Sequence, residues 1–173
     1  MPDPTQTQQP DLAEHLLRRM AANQYARGVR PNGTLACRDV ELMRTVDTDN
    51  TAALQRIIDK HGWPGLSLVG QQAANAAWLI TQHAGLDFQL RALDLIRDAV
   101  EHGEAASQHL AILTDRVLIQ QEQPQLYGTQ YLDRHDGRGY QLWEVFDPDN
   151  LDARRAEVGL GPAAYDPKLR IRH

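Results

Sequence analysis

Residues 69–116 read VGQQAANAAWLITQHAGLDFQLRALDLIRDAVEHGEAASQHLAILTDR, and three helical periods follow one another within them. Ala73, Ala76, Ile80 and His83 fall at i, i+3, i+7 and i+10, so they share one face of a helix, and His83 ends its apolar stripe. Small residues at Gly70, Ala73, Ala74, Ala76 and Ala77 let a neighbouring helix approach this one closely. Phe88, Ala92, Leu95 and Ala99 then make one stripe, with Leu93, Ile96 and Val100 beside it, which predicts a well-buried helix from a cap at Asp87 to about His102. A third helix, opened by Glu104 and ending near Gln121, places Gln108, Ala111, Ile112, Asp115, Leu118 and Ile119 on one face, with Arg116 at its edge.

Upstream, Asp11 is a plausible cap for a helix to Ala26 that turns Leu12, Leu16 and Met20 inward. The loop GVRPNGT (28–34) follows, then a short helix or irregular link to Val46. Asp47-Thr48-Asp49-Asn50 offers caps for a helix through Lys60, and His61-Gly62-Trp63-Pro64-Gly65 breaks it. Downstream of Pro124 the period changes from roughly 3.6 to 2. Residues Gln125 to Phe146, interrupted by the polar Asp133–Gly139 connection, therefore predict an antiparallel β-hairpin. A lone hairpin is marginal in water and must lie on the helices. Asp147-Pro148-Asp149-Asn150 caps a short helix carrying Arg154 and Arg155, and the remainder to His173 reads as extended. The expected fold is mainly α: a single-domain bundle of about six helices, residues 11–173, with one hairpin in the C-terminal third and a disordered tail at 1–10.

Composition bounds the function classes. At 173 residues, 42% hydrophobic and 24% charged, the chain suits one core, and no apolar run approaches the roughly 20 residues needed to span a bilayer. The start MPDPTQTQQPD lacks the basic and apolar parts of a secretory signal, so a cytoplasmic location is expected. A formal net charge of −5 with two lysines, Lys60 and Lys168, argues against nucleic-acid binding through a basic surface. The single Cys37 excludes an internal disulfide and any all-cysteine metal site. Seven histidines include no His-x-x-x-His or His-Glu-x-x-His spacing, so no metal is expected. Phosphate-loop, Gly-x-Ser-x-Gly and dinucleotide fingerprints are absent as well, and no cofactor is expected.

The motif order Gly62-Trp63-Pro64, Val69-Gly70, Gln82-His83-Ala84, Asp115-Arg116-Val117, Tyr127-Gly128-Thr129-Gln130, Arg154-Arg155 and Val158-Gly159-Leu160 resembles a bacterial family catalogued as domain of unknown function 6624. The resemblance covers about Asp47 to Tyr165 and leaves the segment before Asp47 outside. It implies no particular activity, but His83, Asp115, Arg116 and Tyr127 to Gln130 lie in its recurrent motifs.

These residues supply the candidate site. Imidazole titrates near neutrality, so His83 is the candidate proton carrier. Asp115 can orient it, and the planar forks of Arg116 and Arg154 suit a carboxylate or phosphate. Tyr127 and Gln130 offer phenol and amide groups from the hairpin. A buried charge left without its partner costs about 3–5 kcal/mol, so Asp115 and Arg116 are expected to be at least partly buried and paired, with Arg116 or Arg154 reaching the hairpin. The expected function is acid–base chemistry, hydrolysis or group transfer, on a small anionic or peptide-like substrate. The alternative is a non-catalytic module that uses the same cleft to bind a protein partner.

Overall fold

The structure, a computed structural model, describes residues 7–133 and 140–163. Residues 1–6, 134–139 and 164–173 lie outside the described residues, and with them most of the expected disordered start, the hairpin connection and the extended tail. The described residues form six α-helices and one two-stranded antiparallel sheet, a mainly α fold. The chain divides into two compact units, Met1–Ala105 and Ala106–His173.

The first unit holds four helices: α1 (Pro10–Ala26), α2 (Val40–His61), α3 (Leu66–His83) and α4 (Leu86–Glu101). Helix α1 packs on α2 and α3, and α3 packs on α4. The core lies among them, with Leu16, Leu54, Ile57, Ala73, Ala76, Ile80, Phe88, Ala92 and Ile96 all buried. Pro10 starts α1 at a position whose missing N–H costs nothing, and Asp11 sits in its first turn rather than capping it. Beyond α1, Gly28 turns the chain with φ +85°. A Cβ there would stand 2.2 Å from the Ala36 carbonyl oxygen, so only glycine fits.

Helix α2 departs from the expectation of an irregular link to Val46. It begins at Val40, where the Asp39 side chain caps it by accepting from the Leu42 amide at 2.9 Å. Asp47, Thr48, Asp49 and Asn50 therefore sit mid-helix. Partners from α1 and its C-cap replace the capping role: Asp47 accepts from Arg27 and Asn23, and Asn50 donates to the Arg19 carbonyl. Gly62, with φ +77°, stops the helix. Helix α3 is broken at Gly70 by φ 76°, ψ 165°, and its first turn is held by Glu104, which accepts from the Leu66 amide through its carbonyl and from the Ser67 amide through its carboxylate.

The second unit holds α5 (Ser107–Gln120), strands β1 (Tyr131–Asp133) and β2 (Tyr140–Leu142), a single 3-10 turn at Pro148–Asn150 and α6 (Leu151–Glu157). Helix α5 begins at Ser107, not Glu104, and Glu104 serves α3 instead. In the hairpin Tyr131 pairs with Leu142, Leu132 with Gln141 and Asp133 with Tyr140. The regular ladder is shorter than the expected Gln125–Phe146. Its continuation is irregular: Gln125 forms an isolated parallel bridge with Val145, while its buried side chain donates to the Gln130 and Trp143 carbonyls and accepts the Gln130 amide. One glutamine thus replaces several rungs of ladder.

Candidate functional site

His83 belongs to the first unit; Asp115, Arg116, Tyr127, Gln130 and Arg154 belong to the second. In the first unit the stripe Ala73, Ala76 and Ile80 is buried, and His83 at its end is half-buried. The turn that carries His83 is fixed from α4. Gln89, buried at 1% exposure, points its amide nitrogen at the carbonyls of Thr81, Gln82 and Ala84, 3.2, 3.2 and 3.0 Å away. Those carbonyls lie at the C-terminal end of α3, where intrahelical donors run out; Thr81 also accepts the Ala84 amide at 3.2 Å. Gln89 was not foreseen as a site residue, although a lone amide on the buried stripe with Ala92, Ile96 and Ala99 is a readable signal.

His83 lines a groove of about 760 Å³. Arg44, Asp47, Thr48, Thr51, Ala52 and Gln55 of α2 form one wall, and His83 to Phe88 with Arg91 form the other. Arg91 bridges the walls by donating to Gln55 Oε1 at 2.6 Å, and its guanidinium lies 5.7 Å from the Phe88 ring centroid. Asp47 is neutralised, since Arg27 gives it two hydrogen bonds of 3.0 and 2.8 Å. Arg44 and Asp87 form no ion pair among the described residues, and Arg91 meets only the neutral amide of Gln55. The N-terminus of α4 opens here with no side-chain cap at Gly85, which adds positive partial charge. Two unanswered guanidinium groups and a helix N-terminus therefore outweigh one carboxylate. Arg44, Gln55 and Arg91 carried no signal in the sequence beyond being polar residues on helices.

In the second unit the polar candidates gather around the loop Leu126–Thr129. Asp115 is fully buried. Its carboxylate accepts from the amides of Leu126 (2.7 Å), Tyr127 (3.0 Å) and Thr129 (3.0 Å) and from the Thr129 hydroxyl (2.9 Å). Burial pushes its pKa up against these donors, which pull it down. The loop carbonyls face two guanidinium groups. Arg154 donates to Leu126 at 2.9 Å, and Arg155 donates to Tyr127 at 2.8 Å and Gly128 at 3.2 Å. Amides on a carboxylate and carbonyls on arginines give this irregular loop the satisfaction that a ladder would supply.

Asp115 thus partners backbone amides rather than Arg116, which is half-buried. Arg154 does reach the hairpin segment, also donating to the Phe146 and Asp147 carbonyls. Arg155, at 4% exposure, is the more deeply placed of the pair. Tyr127 is half-buried, and burial raises its phenol pKa, with the Asp115 charge second. Gln130 is buried and donates to the Thr129 hydroxyl oxygen at 3.1 Å and the Ile112 carbonyl at 3.5 Å. Among the described residues no three His, Cys, Asp or Glu side chains gather where a metal ion would sit, and no helix is long and apolar enough to cross a membrane.

A family model matches residues 10–170. The chain belongs to the family of unknown function DUF6624. The DUF6624 match begins at residue 10, the first residue of α1, so residues 10–46, expected to fall outside the resemblance, lie inside the family. The groove wall at Arg44 and the α1 partners of Asp47 and Asn50 are therefore parts of the DUF6624 domain. No curated protein and no solved structure matches the chain.

Proposed function

We propose that this DUF6624 member is an enzyme that carries out acid–base chemistry, hydrolysis or group transfer, on a small anionic or peptide-like molecule held in the groove between α2 and the α3–α4 turn. The observation that carries this is the position of His83, half-buried in a groove where two guanidinium groups, Arg44 and Arg91, stand against one unpaired carboxylate, Asp87. The guanidinium groups bind the substrate's anionic group, the apolar lining from Ala52, Ala84, Leu86 and Phe88 takes its body, and the imidazole moves the proton. Asp115, Arg154 and Arg155 enter this reading as the residues that shape the Leu126–Thr129 loop, because their polar atoms are engaged there. In the groove, positioning falls to Gln55, which fixes Arg91, and to Gln89, which fixes the turn bearing His83.

A binding module is supported by a separate observation. The hairpin segment leaves Leu132, Tyr140, Trp143 and Phe146 between 40 and 60% exposed, and exposed large apolar side chains are what a protein partner covers. Mass-spectrometric screening of purified protein against mixtures of anionic metabolites and short peptides separates the two. Turnover that His83→Ala abolishes with the melting temperature preserved supports the enzyme. Turnover at the wild-type rate in His83→Ala removes the proton role, and saturable binding without turnover leaves a recognition site.

A further inference from the structure

Asp87 and Arg91 stand four residues apart on α4, and both line the His83 groove. At that spacing side chains on a helix are neighbours, with Cβ atoms about 5–6 Å apart, and opposite charges ordinarily pair. Two other arginines of the first unit do so: Arg18 with Glu14 at 3.0 Å, and Arg97 with Asp94 at 2.5 Å on α4 itself. Arg91 instead crosses the groove to the neutral amide of Gln55, at 2.6 Å, and lies against the Phe88 ring. Asp87 is left with no ion pair and no hydrogen bond to its carboxylate among the described residues. An acid in the first turn of α4 suits the helix dipole, but the dipole does not account for the arginine turning away from it.

The two groups are therefore open to a ligand. Arg91 spends one of its five N–H groups on Gln55, and both side chains are exposed to the groove. A free cation and a free anion side by side on one helix face, held from neutralising each other, complement a molecule that carries an anion and a cation on neighbouring atoms. In an α-amino acid the ammonium nitrogen and the carboxylate oxygens are about 3 Å apart. Each charged hydrogen bond adds about 2.8 Å, so such a head group bridges partners up to about 8 Å from one another. A phosphate or a simple carboxylate can meet the same Arg91, but it sets like charge beside Asp87, and that repulsion selects against it.

We propose that the molecule held in the His83 groove carries a free α-amino-acid head group, its ammonium on Asp87 and its carboxylate on Arg91. The inference deepens the proposed function and rests on it for placing the substrate in this groove. Gln55 aims the guanidinium and Phe88 supports it. Arg44 stands apart from the pair: it precedes Gln55 by 11 residues on α2, about 16 Å along the axis. It lines the opposite end of the groove, which leaves room for a substrate longer than its head group.

Isothermal titration of the full chain with leucine, methionine, glutamine and glutamate tests this. The tightest of them is then compared with its deaminated acid, which lacks the ammonium, and with its α-carboxamide, which lacks the carboxylate charge. Removing either charge should weaken binding about tenfold, the size expected for a lost hydrogen bond to a charged group. Asp87→Asn should erase the preference for the amino acid over the deaminated acid, and Arg91→Met the preference over the carboxamide, each with the far-UV circular dichroism unchanged. Backbone amide shifts on titration should appear at Asp87 and Arg91. No binding of any amino acid in the panel, equal binding of the deaminated acid, or a preference that survives Asp87→Asn overturns the head-group assignment. Tighter binding of the deaminated acid that Arg91→Met weakens overturns it while leaving the anionic-substrate reading standing, and the turnover screen with His83→Ala decides the proposed chemistry independently.

Discussion

Replacing Asp115 by alanine removes one acceptor from four donors at once. The amides of Leu126, Tyr127 and Thr129 and the Thr129 hydroxyl all converge on that carboxylate, in a place where Asp115 itself is inaccessible to solvent. A single hydrogen bond to a charged group contributes about 1.5–3 kcal/mol net. Four on one carboxylate do not add, and removing the acceptor from such a buried network costs about 3–5 kcal/mol in total. At about 2–4 °C per kcal/mol for a chain of this size, the melting transition should fall by roughly 6–20 °C. Asp115→Asn keeps one acceptor oxygen but sets an NH2 group against backbone donors, so it should lose about half as much. Urea unfolding of the wild type and both variants measures the sizes, and amide hydrogen exchange places them: Leu126, Tyr127 and Thr129 should lose protection before residues of α1–α4 do. A loss below about 0.5 kcal/mol in Asp115→Ala, with those three amides still protected, would refute the clamp.

Gly28→Ala should destabilise by at least about 1 kcal/mol in urea, because it combines positive-φ strain with a Cβ driven into the Ala36 carbonyl; a neutral result contradicts the close approach. Gln89→Leu keeps the volume but strips the donor from the carbonyls of Thr81, Gln82 and Ala84, and should cost about 1–3 kcal/mol in thermal or urea unfolding. His15 carries a pH signature. Its folded pKa is lowered, burial first and Arg19 second, so the unfolded chain binds more protons in the window from about 6.5 down to the folded value. The stabilisation is therefore fully present above that window and is lost as pH falls through it. Urea unfolding between pH 5 and 8 should show this slope in the wild type and lose it in His15→Ala; an identical slope in both rejects the assignment.

The helical character of the first unit, the hairpin in the C-terminal third and the end of α3 at His83 were legible because each follows from a local rule. Residues 73–83 repeat at the helical period, Gly62 with Pro64 stops α2, and the period changes after Pro124. Other features depended on partners distant in the chain. Asp47 to Asn50 have the composition of a helix cap, and nothing local says otherwise; Arg19 and Asn23 of α1 and Arg27 just beyond it supply their partners inside α2. Asp115 was legible as a charge on an apolar face, yet its partner was not, because the alternatives, Arg116 or a run of backbone amides, differ only in how Leu126–Thr129 folds back.

The sequence by itself therefore determined that the chain is mainly helical with a hairpin in its C-terminal third, and that Asp115 must find a partner, since burial of one face imprints a period on the chain whatever lies opposite. Only the tertiary structure decided which partner each charge takes, that Gly70 breaks α3, and that Arg44, Gln55 and Arg91 line one groove with His83. Those outcomes depend on distances between residues far apart in the chain, and an exposed arginine on a helix reads the same in sequence whether it faces bulk water or a groove.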